Sequence, residues 1–299
     1  MELTAAETRR AVRAALAEDL GGGDVTSLAT VPPAAKSVAL MNAREPLVVA
    51  GIHFAELAFR EVAAKYARSA VIRKDRSHQP PMKIKRLVRD GQRVHAGATL
   101  LKISGSSRAI LSAERVALNF VQRLSGVATA TAQFADAVTD TGAKILDTRK
   151  TTPGWRRFEK YAVACGGGKN HRLGLYDLVL IKDNHLVALQ NEKPNAIAAA
   201  IARAREQFPK LKIEVEADTL EQAAQAAEAG ADIILLDNMT PAQLRRAVKI
   251  IRGRAQIEAS GGVNLKTVRA IAQTGVDFIS VGAITHSARA VDIGLDFET

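Results

Sequence analysis

The sequence predicts an α/β protein: a parallel α/β barrel, partial at the six strands visible, preceded by an N-terminal α+β domain. Three observations carry this. From Ser112 onward short apolar strands alternate with helices, where the first third mixes longer helices with strand-like pieces. The last four strands recur about every 22 residues, the interval of a strand-helix unit in a parallel barrel. Each of these strands also ends in a polar or glycine-rich group. At 299 residues the chain has room for one large domain or two smaller ones. The division falls at 1–113 for the α+β domain and 114–284 for the barrel.

Taken in order, Thr4-Ala5-Ala6-Glu7 is a capping-box pattern that opens a helix to about Asp19, closed by Gly21-Gly22-Gly23. Residues 36–50 read as extended. Gly51 to Tyr66 has helical apolar spacing at Ile52, Leu57, Phe59 and Val62. Between 70 and 103 come short strand pieces, Val71-Ile72, Ile84, Leu87-Val88 and Leu100-Leu101, split by the turns Asp90-Gly91 and His95-Ala96-Gly97. SAERVALNFVQRLSG (112–126) is a helix with Ser112 as its N-cap. The barrel strands are Lys144–Leu146, Leu178–Ile181, Leu211–Val215, Ile233–Leu236, Gln256–Ala259 and Phe278–Val281. Helices at Leu220–Ala229, Pro241–Ile251 and Leu265–Thr274 lie between the last four. A complete barrel needs eight strands and six are visible.

Composition excludes several classes. No apolar run reaches the roughly 18 residues of a membrane span, and MELTAAETRR has no signal core. A single cysteine, Cys165, forms no internal disulfide, which fits a reducing cytoplasm. The net charge of +11 calls for an acidic partner. Aromatics at 4% leave few stacking platforms, so a small polyanion suits the charge better than nucleic acid. Arg9, Arg10 and Arg13 on the first helix form a solvated face.

The clustered charge is another matter. Between Arg149 and Arg172 stand seven Lys/Arg and His171 against one acid, Glu159. Strand ends supply Asp147-Thr148-Arg149-Lys150, Lys182-Asp183-Asn184-His185, Glu216, Asp237-Asn238, Ser260-Gly261-Gly262 and Gly282-Ala283. C-terminal strand ends form the active face of such barrels. The glycine turns suit a phosphate held by backbone N–H groups. Glu216 and Asp237 suit sugar hydroxyls or Mg²⁺; the plainer alternative is an ion pair with a neighbouring lysine. The cations suit pyrophosphate and carboxylates. The residues thus describe a site for a phosphorylated sugar, a divalent metal and a further anion.

ERVALNFVQRLSGVAT (114–129), DTRKTTPG (147–154), CGGGKNHRLGLYD (165–177), IKDNH (181–185), IEVEAD (213–218), LLDN (235–238), EASGGV (258–263) and VGAITHSARAVDIGLDF (281–297) together resemble the quinolinate phosphoribosyltransferase family. The likeness runs from EDLGGGDVTS (18–27) to the end of the chain; only the basic segment 73–83 fits poorly. The resemblance implies transfer of phosphoribosyl from 5-phosphoribosyl 1-pyrophosphate to quinolinate with Mg²⁺. The products are nicotinate mononucleotide, pyrophosphate and CO₂, the entry step to NAD. It implies an N-terminal α+β sandwich domain with an open, partial parallel α/β barrel, the tail 285–299 returning to the first domain, and a homodimer or a hexamer of dimers. By position, Arg149, His171, Arg172 and Lys182 match the quinolinate pocket. Lys150 matches a catalytic lysine between the two substrates, and Arg115 matches an arginine reaching into the partner's pocket. Glu216 and Asp237 match acids near the ribose and metal. Ser260, Gly261, Gly262 and Gly282 match the 5-phosphate site, with His286 at the pyrophosphate end.

The expected chemistry is electrostatic, with the 155–172 loop closing over the substrates and no general acid or base. Three rivals make different predictions. A sister phosphoribosyltransferase on the same fold would take another base. A lyase or aldolase with a Schiff-base Lys150 or Lys182 would give a borohydride-trapped adduct. A non-enzymatic anion or RNA binder would be indifferent to Lys150→Ala.

Overall fold

The computed structural model describes residues 1–72 and 81–298, without the side chains of 69–72. Residues 73–80 of the basic 73–83 segment lie outside the described residues. In chain order the elements are α1 (Ala5–Leu20), α2 (Val25–Thr30), β1 (Lys36–Ala43), β2 (Leu47–Val48), α3 (Ile52–Ile72), β3 (Lys83–Arg86), β4 (Arg93–Val94) and β5 (Thr99–Ser106). Then follow α4 (Ser107–Ala137), β6 (Lys144–Leu146), α5 (Arg156–Cys165), β7 (Val179–Ile181), α6 (Asp183–Val187), α7 (Ala196–Gln207), β8 (Ile213–Ala217) and α8 (Leu220–Glu228). The chain ends with β9 (Ile233–Asp237), α9 (Pro241–Ile251), β10 (Gln256–Ser260), α10 (Val268–Ala272), β11 (Phe278–Ser280), α11 (Ala283–His286) and β12 (Ile293–Phe297). They form two compact units, Met1–Thr129 with Ala164–Gly166 and Ala288–Thr299, and Ala130–Val163 with Gly167–Ser287.

The first unit holds an antiparallel sheet of order β12-β1-β5-β3. Strand β1 turns Ala39, Met41 and Ala43 inward at alternate positions, as a sheet with one covered face requires. Phe54 of α3 stacks on Phe120 of α4 with ring centroids 4.8 Å apart. Helix α1 opens on the expected capping box, Thr4 and Glu7 each holding the other's backbone N–H. Its Arg9 and Arg13 share Glu61.

Three local elements differ from those the sequence predicts. Val71 and Ile72 continue α3 rather than starting a strand. Leu87 and Val88 lie just beyond β3. Helix α4 opens at Ser107, directly after β5, so Ser112 is no N-cap. Its hydroxyl instead donates to the Asp24 carboxylate at 2.8 Å and sits 3.0 Å from the Tyr66 hydroxyl.

The second unit is built on one parallel sheet of order β6-β11-β10-β9-β8-β7, with the expected six strands. Alternation along β8 to β11 sends Val215, Ile234, Leu236, Ile257 and Ile279 outward, where they are buried. The inward positions are Glu214, Glu216, Leu235, Asp237, Glu258, Ser260 and Ser280. Period two therefore collects the chemical groups on one side. At the opposite end of the strands, Asp232 and Asp277 accept the N–H of Ile213 (2.7 Å) and Ile257 (2.8 Å). Their own N–H groups return to the same residues' carbonyls, at 2.9 Å each.

The stretch expected as a loop over 155–172 contains helix α5. Its polar residues hid it: Glu159 and Lys160 are fully buried with Phe158, Ala162 and Val163. The buried side therefore does not read as an apolar stripe.

Candidate active site

A cavity of about 440 Å³ opens at the C-terminal ends of the parallel strands. Thr148, Arg149, Lys150, His171 and Arg172 line it from the segments after β6 and α5. The strands contribute Leu180, Lys182, Glu216, Leu235, Asp237, Glu258, Ser260 and Ser280. Eight of the residues singled out in the sequence thus meet in one hollow: Lys150, Glu216, Asp237, Arg149, His171, Arg172, Lys182 and Ser260. Five lining residues were not singled out, namely Thr148, Leu180, Leu235, Glu258 and Ser280. Counting back by two from Ser260 would have reached Glu258, because alternate residues of a strand share a face.

The other expected residues stand elsewhere. Gly261 and Gly262 turn the chain after β10 with φ of +92° and +58°, conformations that favour glycine. At Gly261 a Cβ would run into the backbone N of Asn238 at 2.7 Å. Gly282 lies against Lys150 and His286, whose side chains would meet its Cβ at 3.1 and 3.2 Å. The His286 Nδ1 and the Ser287 hydroxyl are 2.6 Å apart. Arg115 is exposed on α4 in the first unit.

Not every cation after Arg149 faces the cavity. Lys160 is wholly buried and ion-paired with Asp147, and it donates to the His171 carbonyl at 3.0 Å. The Asp147 carboxylate also accepts the His171 N–H (2.9 Å) and the Asn170 side-chain amide (2.7 Å). Burial pushes Asp147 up and Lys160 down, and each partner's charge opposes that shift. Arg156 donates to the Thr151 hydroxyl and the Leu173 carbonyl, both at 3.1 Å. The lone acid Glu159 accepts the Thr152 N–H (3.0 Å) and hydroxyl (2.9 Å). These groups shape the loops and leave Arg149, Lys150, His171 and Arg172 to the cavity. Arg149 keeps a buried Nε without a hydrogen-bond partner among the described residues.

His171 has both ring nitrogens engaged. Nε2 lies 3.0 Å from Glu214 and 3.5 Å from Glu258, while Nδ1 accepts the Arg172 N–H at 2.7 Å. Burial disfavours a charged ring, but Glu214 and Glu258 outweigh it and push His171 up to about 10. The Arg172 amide works the other way, since a proton on Nδ1 would meet its hydrogen head on. As placed, the ring is therefore the neutral Nε2–H tautomer, and gaining charge requires releasing that amide. Burial raises Glu214 as well. Arg172 is held lower by burial and by the neighbouring Arg149.

Lys182 is ion-paired with Glu216, so for that acid the plainer reading applies in this arrangement. Asp237 accepts from the side-chain amide of Asn238 at 2.6 Å. Asn238 itself takes φ +53°, a left-handed turn that asparagine tolerates. Carboxylate oxygens of Glu216, Asp218 and Asp237 lie within 4.8 Å of one another. Hard oxygen donors so gathered fit Mg²⁺, with Asp218 as a member the sequence reading lacked. Polarised groups of both signs, facing one hollow, suit a reaction that separates charge without a covalent enzyme intermediate.

Comparison with known proteins follows the same line. Residues 24–125 match the sequence model of the quinolinate phosphoribosyl transferase N-terminal domain, and 127–296 that of its C-terminal domain. The chain is 43% identical to the carboxylating nicotinate-nucleotide pyrophosphorylase of Mycobacterium leprae, over 96% of both. It is 40% identical to the chloroplastic enzyme of that name from Arabidopsis thaliana, over 98% of this chain and 83% of the relative. Among solved structures, the nicotinate-nucleotide pyrophosphorylase of Francisella tularensis superposes with a TM-score of 0.87 at 38% identity, covering 99% and 98% of the two chains. That of Ehrlichia chaffeensis gives 0.85 at 39%, covering both chains fully.

Proposed function

From the premise that the chain belongs to the quinolinate phosphoribosyltransferase family, we propose how its own residues carry the family's reaction. The enzyme transfers phosphoribosyl from 5-phosphoribosyl 1-pyrophosphate to quinolinate with decarboxylation, giving nicotinate mononucleotide, pyrophosphate and CO₂. The observation that carries the site is the meeting of five basic side chains with Glu216, Asp237 and Ser260 in one cavity.

Arg149, Arg172 and Lys182 take the two carboxylates of quinolinate, with His171 completing that wall. Lys150 stands between the two substrates; its carbonyl is anchored by the Thr285 hydroxyl at 2.8 Å. The turn 260–262 and Gly282 offer backbone N–H groups to the 5-phosphate, and His286 faces the pyrophosphate end. As the ribose C1–O bond weakens, Glu216 and Asp237 offset the positive charge growing on the sugar. The ring nitrogen then bonds to C1 as the C1–O bond to pyrophosphate breaks. The resulting pyridinium holds the electron pair left on C2 when CO₂ departs, and a proton from water completes the C2–H bond of the product. Mg²⁺, held by Glu216 and Asp237 with Asp218 beside them, would supply countercharge to the pyrophosphate.

Arg115 completes the quinolinate pocket from a partner subunit, which makes a homodimer the working unit, alone or within a hexamer. Among the described residues no helix is long and apolar enough to cross a membrane. The single cysteine supports a cytoplasmic location.

The direct test follows CO₂ release and nicotinate mononucleotide formation from quinolinate, phosphoribosyl pyrophosphate and Mg²⁺, with nicotinate as the control acid. Turnover of quinolinate alone is expected. Consumption of phosphoribosyl pyrophosphate with a different base only would move the chain to a sister activity.

A further inference from the structure

Two acids beneath the cavity have no part in the reaction so far. Glu214 and Glu258 are 0% and 1% exposed, on the inward faces of neighbouring parts of the sheet. Apart from His171, none of their four oxygens has a hydrogen-bond partner among the described residues. A buried carboxylate without donors is costly, so a fold that keeps two side by side must use them for something. Both reach the same atom, Nε2 of His171, at 3.0 and 3.5 Å. The opposite edge of that ring accepts the Arg172 N–H at 2.7 Å. The ring thus stands between two carboxylates at one edge and the backbone N–H of the next residue at the other.

We propose that Glu258 and Glu214 are positioning residues that act through His171: they lock its imidazole, and the locked ring sets the backbone of Arg172, so that the wall facing the substrate carboxylates is prearranged. This rests on the functional reading above. The position of Glu258 on the cavity floor explains why a cavity otherwise rich in cations tolerates an acid beneath the dicarboxylate. Its carboxylate faces Nε2 at 3.5 Å, so that the ring and Arg172 form the wall toward the substrate. A salt-bridge partner that merely stabilised the fold would have no reason to converge on one edge of a cavity-lining imidazole.

The test is a double-mutant cycle on the full-length enzyme, with KM for each substrate and kcat measured separately. Glu258→Met, which keeps the volume and removes the charge, should raise KM for quinolinate about tenfold and leave that for phosphoribosyl pyrophosphate within about twofold. In a His171→Ala background the same change should add nothing beyond about twofold, because the residue through which it acts is gone. Glu258→Gln, which keeps an oxygen facing Nε2, should recover most of the loss. Full additivity with His171→Ala, or equal shifts in both KM values, would overturn the proposal. The wild type offers a check that survives a misfolded variant. Its His171 Nε2 proton should appear as a slowly exchanging downfield resonance that vanishes in His171→Ala, and a freely exchanging ring proton would also overturn it. Wild-type turnover in the same assay separates two failures. Additive variants of an enzyme that converts quinolinate sink the positioning role alone, whereas no conversion sinks the functional reading beneath it.

Discussion

Lys160 shows at the scale of one residue why counting cations misjudges a site. Its charge belongs to the cluster that suggested an anion, yet the ammonium is buried against Asp147 and holds the chain at His171. Lys160→Met would leave the buried Asp147 carboxylate with the His171 N–H and the Asn170 amide but without its countercharge, and losing one partner of a buried pair costs about 3–5 kcal/mol. A fall in unfolding free energy of that size by urea titration, with impaired quinolinate binding in whatever folds, is the expected result; an unchanged midpoint would contradict the role. Lys182 is the opposite case, half-exposed at the cavity and paired with Glu216. Lys182→Ala should raise KM for quinolinate by about tenfold or more, the scale of a charge-assisted hydrogen bond, with a far smaller effect on phosphoribosyl pyrophosphate. Equal effects on both substrates would remove Lys182 from the quinolinate wall.

At the scale of elements, the two ends of the parallel strands divide the labour. The C-terminal ends carry the cavity, while Asp232 and Asp277 tie the other ends by pairing with both backbone groups of Ile213 and Ile257. Asp277→Ala leaves the Ile257 N–H without its side-chain acceptor and should cost about 1–3 kcal/mol of stability. Both KM values should stay put, and a change in either would show that the far end of the sheet is coupled to the site. Elements whose burial and hydrophobicity agree were legible from sequence: β6, α9 and the capping box of α1 match their readings. Elements that bury charge were not. Helix α5 hides Lys160 and Glu159, so its sequence looks like a loop. Ser112 looked like a cap because its hydroxyl is needed, but for Asp24 rather than for a helix end. The site divides the same way. Residues at strand tips announce themselves by charge, whereas Glu214, Glu258 and Ser280 lie one inward step deeper and emerge only when alternation places them.

At the scale of the whole molecule, the proposed sharing of the site turns on Arg115. Among the described residues, every side chain that lines the cavity comes from the second compact unit, whereas Arg115 is exposed on α4 within the first. If it works as proposed, by reaching a partner's cavity, then a complete site needs Arg115 from one chain and Lys150 from another. Arg115→Ala and Lys150→Ala should each be inactive as pure proteins while keeping native circular dichroism. Mixed in equal amounts and allowed to exchange, half the dimers contain one of each. In such a hybrid one site lacks both residues and the other has both intact, so the mixture should recover about a quarter of wild-type activity. No other simple arrangement gives this result, because sites made within one chain would remain dead in every combination. Native mass spectrometry can count the hybrids independently of turnover. Hybrids that form and stay inactive would place Arg115 outside the catalytic site and leave each chain's cavity to bind quinolinate with its own cations.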